Sequence, residues 1–142
     1  EANIIHTDDF FIPPALRTRE RLASPGGNIH YERFLSEVIE RLENGKEFSY
    51  RVFDCSKSDF GGLVRVLDKP LNIIEGAYSM RPEFSHIYDI KVFMSIGAQS
   101  QKNRIKARNG DNAYKRFEKE WIPLENRYIE AFDIPSACDL VY

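Results

Sequence analysis

A chain of 142 residues, 42% hydrophobic and 30% charged, is long enough for one domain with a core of its own and has ordinary globular composition. Its net charge of -2 argues against a general nucleic-acid or membrane-surface binder, and no apolar run approaches the roughly 18 residues that cross a bilayer. No signal-peptide pattern opens it, and Cys55 and Cys138, far apart and outside CxxC spacing, read as free thiols of a reducing cytoplasm.

Residues 2–6 read as a short buried strand, and Thr7-Asp8-Asp9 leaves its C-terminal end. The chain enters this strand at once and stops inside another apolar stretch, residues 138–142, so a core strand at each terminus suggests a trimmed chain. Residues 10–27 are loop-like, punctuated by Pro13-Pro14 and Pro25-Gly26-Gly27, with a short helical turn expected over 17–21. Tyr31, Phe34, Leu35, Val38, Ile39 and Leu42 then form one apolar stripe at helical spacing, with Asn28 as the expected N-cap and Gly45 as the residue beyond the C-terminus. Residues 48–53 and 63–67 read as strands of a hairpin whose long loop contains Gly61-Gly62. Residues 71–74 form a short apolar run ending in Glu75-Gly76, and 89–96 read as a further core strand.

Helix returns over 98–108. After Asn109-Gly110, the series Tyr114, Phe117, Trp121, Leu124, Tyr128 and Phe132 is helical again, and Pro123 must kink that helix or start a new one. Strands separated by helices imply an α/β fold with a mainly parallel sheet flanked by helices.

Ligands of open parallel sheets gather at the carboxyl ends of the strands. Two strands end in acids there, Asp8-Asp9 and Glu75, which could hold magnesium through water or accept a proton from a substrate hydroxyl; capping a turn is the plainer role for either. Lys102, Arg104, Lys106, Arg108, Lys115 and Arg116 form a basic cluster in which Arg104 and Arg108 share one helix face and Lys102 and Lys106 another. Paired arginines suit phosphate oxygens, and a solvated helix face is the plainer alternative. The Asn109-Gly110 break would let the segment hinge. A third group, His30, Tyr31, Tyr50, Phe53 and Asp54, could hold a ring-bearing substrate or simply pack the core. No His or Cys spacing suits zinc, and no GxSxG elbow is present.

These segments, in this order, resemble uridine kinases and nicotinamide riboside kinases of the P-loop class. His6-Thr7-Asp8-Asp9-Phe10-Phe11 is similar to their strand-end motif, Asn72-Ile73-Ile74-Glu75-Gly76 to their second acidic motif, residues 104–109 (RIKARN) to their arginine-bearing lid, and Trp121-Ile122-Pro123-Leu124 with residues 128–132 to their last long helix. The resemblance implies a single P-loop kinase-like domain over 1–142 with a lid at about 98–116. It implies Asp8 as the catalytic carboxylate, Glu75 as the acid organising Mg²⁺ with Asp8, Arg104 and Arg108 as lid residues reaching ATP phosphates, and Phe11, His30, Phe53 and Asp54 as the acceptor pocket. The implied reaction is ATP-dependent phosphoryl transfer to a hydroxyl of a small metabolite, in a cytoplasmic protein that acts on neither nucleic acid nor membrane and is compatible with a homo-oligomer.

Two departures matter. GxxxxGK[ST] is absent from the 142 residues, so the first strand and phosphate-binding loop are expected upstream, and the isolated piece is expected to be inactive. His30, Cys55 and Ser58 stand where uridine kinases carry other residues, so the acceptor is expected to differ from uridine. The alternative is a non-catalytic kinase-fold domain that binds a phosphorylated metabolite or a protein partner.

Overall fold

Asn3–His6 forms strand β1, whose side chains alternate between buried Asn3 and Ile5 and outward Ile4 and His6. The computed structural model describes all residues, Glu1–Tyr142, in two compact units, Glu1–Ile87 and Tyr88–Tyr142. In the first, a 3₁₀ turn over Thr7–Phe10 follows β1 directly; it buries Thr7 and Phe10 and leaves Asp8 facing water. A second 3₁₀ turn (Pro14–Leu16) and the short helix α1 (Arg19–Ala23) occupy the region read as loop, close to the expected helical turn.

The apolar stripe forms a helix of three consecutive stretches: α2 (Tyr31–Phe34), a π-helical stretch (Leu35–Ile39) and α3 (Glu40–Glu43). Wider winding in the π stretch turns Leu35 outward, to 39% exposure, while Phe34, Val38 and Ile39 stay buried. The expected cap is corrected. The helix starts at Tyr31, and His30 rather than Asn28 caps it, its ring nitrogen accepting from the Arg33 N–H at 3.4 Å. The cause is a turn at Gly26 (φ 68), where the Ile29 N–H bonds the Gly26 carbonyl and delays helix entry. Gly45, at φ 61, ends the helix as expected, its N–H donating to the Leu42 carbonyl.

Strands β2 (Phe48–Asp54) and β3 (Asp59–Val66) form an antiparallel hairpin. Gly61 and Gly62 lie inside β3, not in the loop; the turn spans residues 55–58. Asp54 closes it by accepting from the Ser56 N–H at 2.9 Å and the Ser56 hydroxyl at 2.6 Å. Strand β4 (Asn72–Glu75) pairs in parallel with β1, Asn3 opposite Asn72 and His6 opposite Glu75. Asn3 locks this register, donating to the Leu67 carbonyl (2.8 Å) and to Asn72 Oδ1 (2.6 Å) and accepting from the Leu67 N–H (3.2 Å). The unit's core gathers Ile5, Phe10, Ile12, Ile29, Phe34, Val38, Ile39 and Tyr50, all essentially inaccessible. Phe10 stands edge-on to Phe34 and tilted on Tyr50, both at 5.1 Å.

In the second unit, β5 (Val92–Phe93) pairs in parallel with β6 (Leu140–Val141). The core strand expected over 89–96 is therefore reduced to two residues, and its apolar side chains are largely outward, Ile90 68% and Met94 79% exposed. Helix α4 (Ala98–Asn109) ends at Gly110 (φ 84); α5 (Asp111–Arg116), a π-helical stretch (Phe117–Trp121) and α6 (Ile122–Ala131) follow. Pro123 falls in the first turn of α6, where its missing N–H is tolerated, and the π stretch precedes it. Ile105, Tyr114, Tyr128 and Ile134 supply this unit's buried side chains. The result is an α/β chain whose β1–β4 and β5–β6 pairs are parallel and whose β2–β3 hairpin is antiparallel.

Candidate functional site

The parallel register brings the carboxyl ends of β1 and β4 side by side. His6 Nδ1 hydrogen-bonds Glu75 Oε1, both side chains about half exposed, and this bond raises the imidazole's proton affinity. The Thr7 hydroxyl donates to the Glu75 carbonyl at 3.2 Å. Gly76 follows at φ 129, and a Cβ there would lie 2.1 Å from Thr7 Oγ1, so only glycine fits the approach of the two strand ends. Asp8 is exposed on the turn, whereas Asp9 is partly buried and accepts the Tyr50 O–H at 3.0 Å. Burial pushes the Asp9 carboxyl up, against the pull of the Tyr50 bond, and burial likewise raises the Tyr50 phenol. The edge thus presents an outward carboxylate, a tethered one, and an imidazole–carboxylate pair.

The four acceptor-pocket candidates all fall in the first unit. Phe11 bridges Ile29 backbone to backbone, and the His30 N–H donates to the Phe10 carbonyl at 2.6 Å, so Phe11 and His30 belong to adjoining segments. Besides capping α2, His30 lies 3.0 Å from Glu32 Oε2. Glu32 is held at about 2 chiefly by Arg21, whose guanidinium also donates to the Gly27 and Ile29 carbonyls and so fixes the loop before the helix. Phe53 is buried at the hairpin end, edge-on to Phe60 at 5.8 Å. Asp54 serves the turn and pairs with Lys57 at 3.3 Å; its Ser56 bonds hold the carboxyl down at about 2.

Arg33 lies outside the apolar stripe of its helix, yet it is buried beside this region. Its Nε and Nη2 donate to the two Glu37 oxygens at 2.8 and 2.9 Å, and Nη2 also donates to the Arg51 carbonyl at 2.6 Å. The guanidinium lies 5.0 Å from the Phe10 ring centre and 4.7 Å from that of Phe60. Its Nη1 is buried with no hydrogen-bond partner. The i, i+4 spacing to Glu37 was the available signal; the burial depends on the hairpin, which is remote in sequence.

In the second unit, Arg104 and Arg108 line an open cavity of about 420 Å³ together with Ile96, Gln101, Ile105, Phe117, Ile122 and Glu125. The two helix faces separate as their spacing predicts. Lys102 and Lys106 instead approach the Tyr114 ring at 5.4 and 5.5 Å, and Lys106 pairs with Asp111 at 2.5 Å. Arg108 Nε donates to Asn109 Oδ1 at 2.9 Å. A pair of guanidinium groups beside an apolar wall can take a phosphate-bearing ligand.

No group of three or more His, Cys, Asp or Glu side chains surrounds a common point. Glu75 acts electrostatically on Asp9, so the strand-end acids are near one another without forming a cage. Magnesium is commonly bound by one or two carboxylates, with water and phosphate oxygens completing the shell, and so does not require such a cage.

No family model and no curated protein matches the chain at the sequence level. Solved structures that share its fold include two named for kinases. A possible uridine kinase from Bacillus stearothermophilus superposes with a TM-score of 0.71 at 18% identity, covering 99% of this chain and 71% of that one. A candidate fructose transport system kinase from Silicibacter sp. TM1040 superposes with a TM-score of 0.75 at 22% identity, covering 99% of this chain and 74% of that one. At these identities the likeness establishes the fold alone, a mixed α/β fold shared with both structures.

Proposed function

We propose that this chain forms the acceptor-side and lid portions of an ATP-dependent kinase that phosphorylates a hydroxyl of a nucleoside-like or other small metabolite in the cytoplasm. The observation that supports this most is the β1–β4 register, which gathers Asp8, Asp9 and Glu75 at one carboxyl edge of a kinase-type fold. Asp8, exposed, is the base. The acceptor oxygen bonds the terminal phosphorus of ATP, the bond to the β–γ bridging oxygen breaks, ADP leaves, and the hydroxyl proton passes to Asp8. Asp9, tied to Tyr50, positions the turn. Asp8 and Glu75 would hold magnesium, which supplies charge neutralisation at the phosphates. Arg104 and Arg108 bind phosphate oxygens, and Phe11, His30, Phe53 and Asp54 shape the acceptor pocket. The phosphate-binding loop would come from sequence upstream of Glu1.

The test is ATP consumption by the product of the whole reading frame containing this chain, against a panel of hydroxylated acceptors. Acceptor-dependent ADP release supports the proposal; no release with any acceptor overturns it. Because GxxxxGK[ST] is missing from these residues, a second reading is a non-catalytic kinase-fold domain that binds a phosphorylated metabolite or a protein partner. Metabolite binding without turnover would favour it.

A further inference from the structure

Arg33 is nine-tenths buried, yet its Nη1 has no hydrogen-bond partner. An unmet buried donor is costly, and more so on a cation, so its persistence asks for a function. Arg33 and Arg51 share one carboxylate by contact: Glu37 binds Arg33 through both oxygens and lies 3.9 Å from the Arg51 guanidinium. A second acid, Asp9, interacts electrostatically with Arg33 and accepts the Tyr50 O–H.

The position is next to the proposed chemistry. Phe10, which the Arg33 guanidinium overlies, packs on Tyr50, and Tyr50 holds Asp9. The other ring against Arg33, Phe60, is 38% exposed near the hairpin turn, and Arg51 overlies that same ring at 4.2 Å. Phe60 is therefore a partly exposed ring that covers a buried cationic donor.

We infer that Arg33 is a specificity-determining residue of the acceptor pocket, and that the acceptor carries an oxyanion, a carboxylate or phosphate monoester, which displaces Phe60 and accepts from Arg33 Nη1. This rests on the kinase reading for the name of the pocket but not for the binding event. The hydroxyl to be phosphorylated then lies toward Asp8, with the oxyanion as the handle that orients it. A site with a buried guanidinium donor discriminates strongly against the neutral analogue, because the donor is again left unmet.

The experiment is calorimetric titration of the whole protein with D-ribose 5-phosphate against D-ribose, and with D-glycerate against glycerol, each followed by the ATP assay. The expected result is at least tenfold tighter binding of one anion than of its neutral partner. Arg33→Lys, which keeps the charge but loses the fork, should weaken that binding at least tenfold. Arg65→Ala, at an exposed pair with Glu47, should leave it unchanged. Should Arg33→Lys fail to fold, Phe60→Ala serves: removal of the cover should raise the anion's association rate, and an unchanged rate overturns the inference. Equal binding of neutral and anionic partners, or no binding of either anion, also overturns it. Arg33-dependent anion binding without phosphoryl transfer keeps the inference and sinks the kinase reading; phosphorylation of neutral acceptors without anion discrimination does the reverse.

Discussion

At the scale of the residue, Asp9 and Tyr50 show two forces acting on one carboxyl. Burial raises Asp9 and the phenol's hydrogen bond opposes it. A raised acid favours the folded state below its ordinary value of 3.8, and that contribution is lost as the pH rises through the folded value. Tyr50→Phe removes the opposing bond, so the Asp9 carboxyl should titrate higher still by carbon-detected NMR; an unchanged midpoint would separate the pair. Asp8, by contrast, is exposed to solvent. Asp8→Asn in the whole protein should lower kcat by about 100-fold or more, the usual loss for a general base, and near-normal turnover would remove Asp8 from that role. Glu32 is a depressed acid, ordinarily at 4.5 and here at about 2, so its stabilisation is present above 4.5 and lost as the pH falls toward 2. Its side chain is largely exposed, so Glu32→Gln should cost no more than about 1 kcal/mol at neutral pH and flatten the acid limb of a denaturation profile below pH 4.5.

At the scale of the element, the junction of β1 and β4 is the most constrained. Gly76→Ala meets both a positive φ and Thr7 Oγ1, and should destabilise the protein by about 2 kcal/mol or more in urea melts. A loss under about 0.5 kcal/mol would mean that the strand ends relax easily. The elements legible in the sequence were those written in local pattern: the apolar run of β1, which the structure buries on one face only, the stripe beginning at Tyr31, the helix α4 with its two separate basic faces, and the break at Pro123. What escaped reading depended on partners distant in the chain. Gly61-Gly62 looked like a turn because glycine pairs often are, but Asp54 and Ser56 close the hairpin earlier. Asn28 looked like a cap until the Gly26 turn passed that role to His30. Residues 89–96 carry strand-forming side chains, yet pairing with β6 reaches only Val92 and Phe93. At the site, the strand-end acids could be read from sequence; Arg33 could not, because its burial is made by Phe10 and Phe60, on either side of it in sequence.

At the scale of the molecule, the two units differ in how much they bury. The first contains a dense set of inaccessible side chains, whereas α4 contributes only Ile105 to the buried set of the second. Amides of β1, β2 and α2 should therefore be the last to exchange with deuterium, and those of α4 should exchange at least tenfold faster; uniform protection across both units would contradict this. The π stretch at Leu35–Ile39 has a consequence for descent. A π stretch is an α-helix carrying one residue too many, so relatives that lack it should show a single-residue gap at this point of an alignment. Closing the gap would rotate everything downstream by about 100° relative to Arg33. Where the residue lost lies between Arg33 and Glu37, the i, i+4 pair is broken, so lineages with that shorter helix should have dropped the arginine as well.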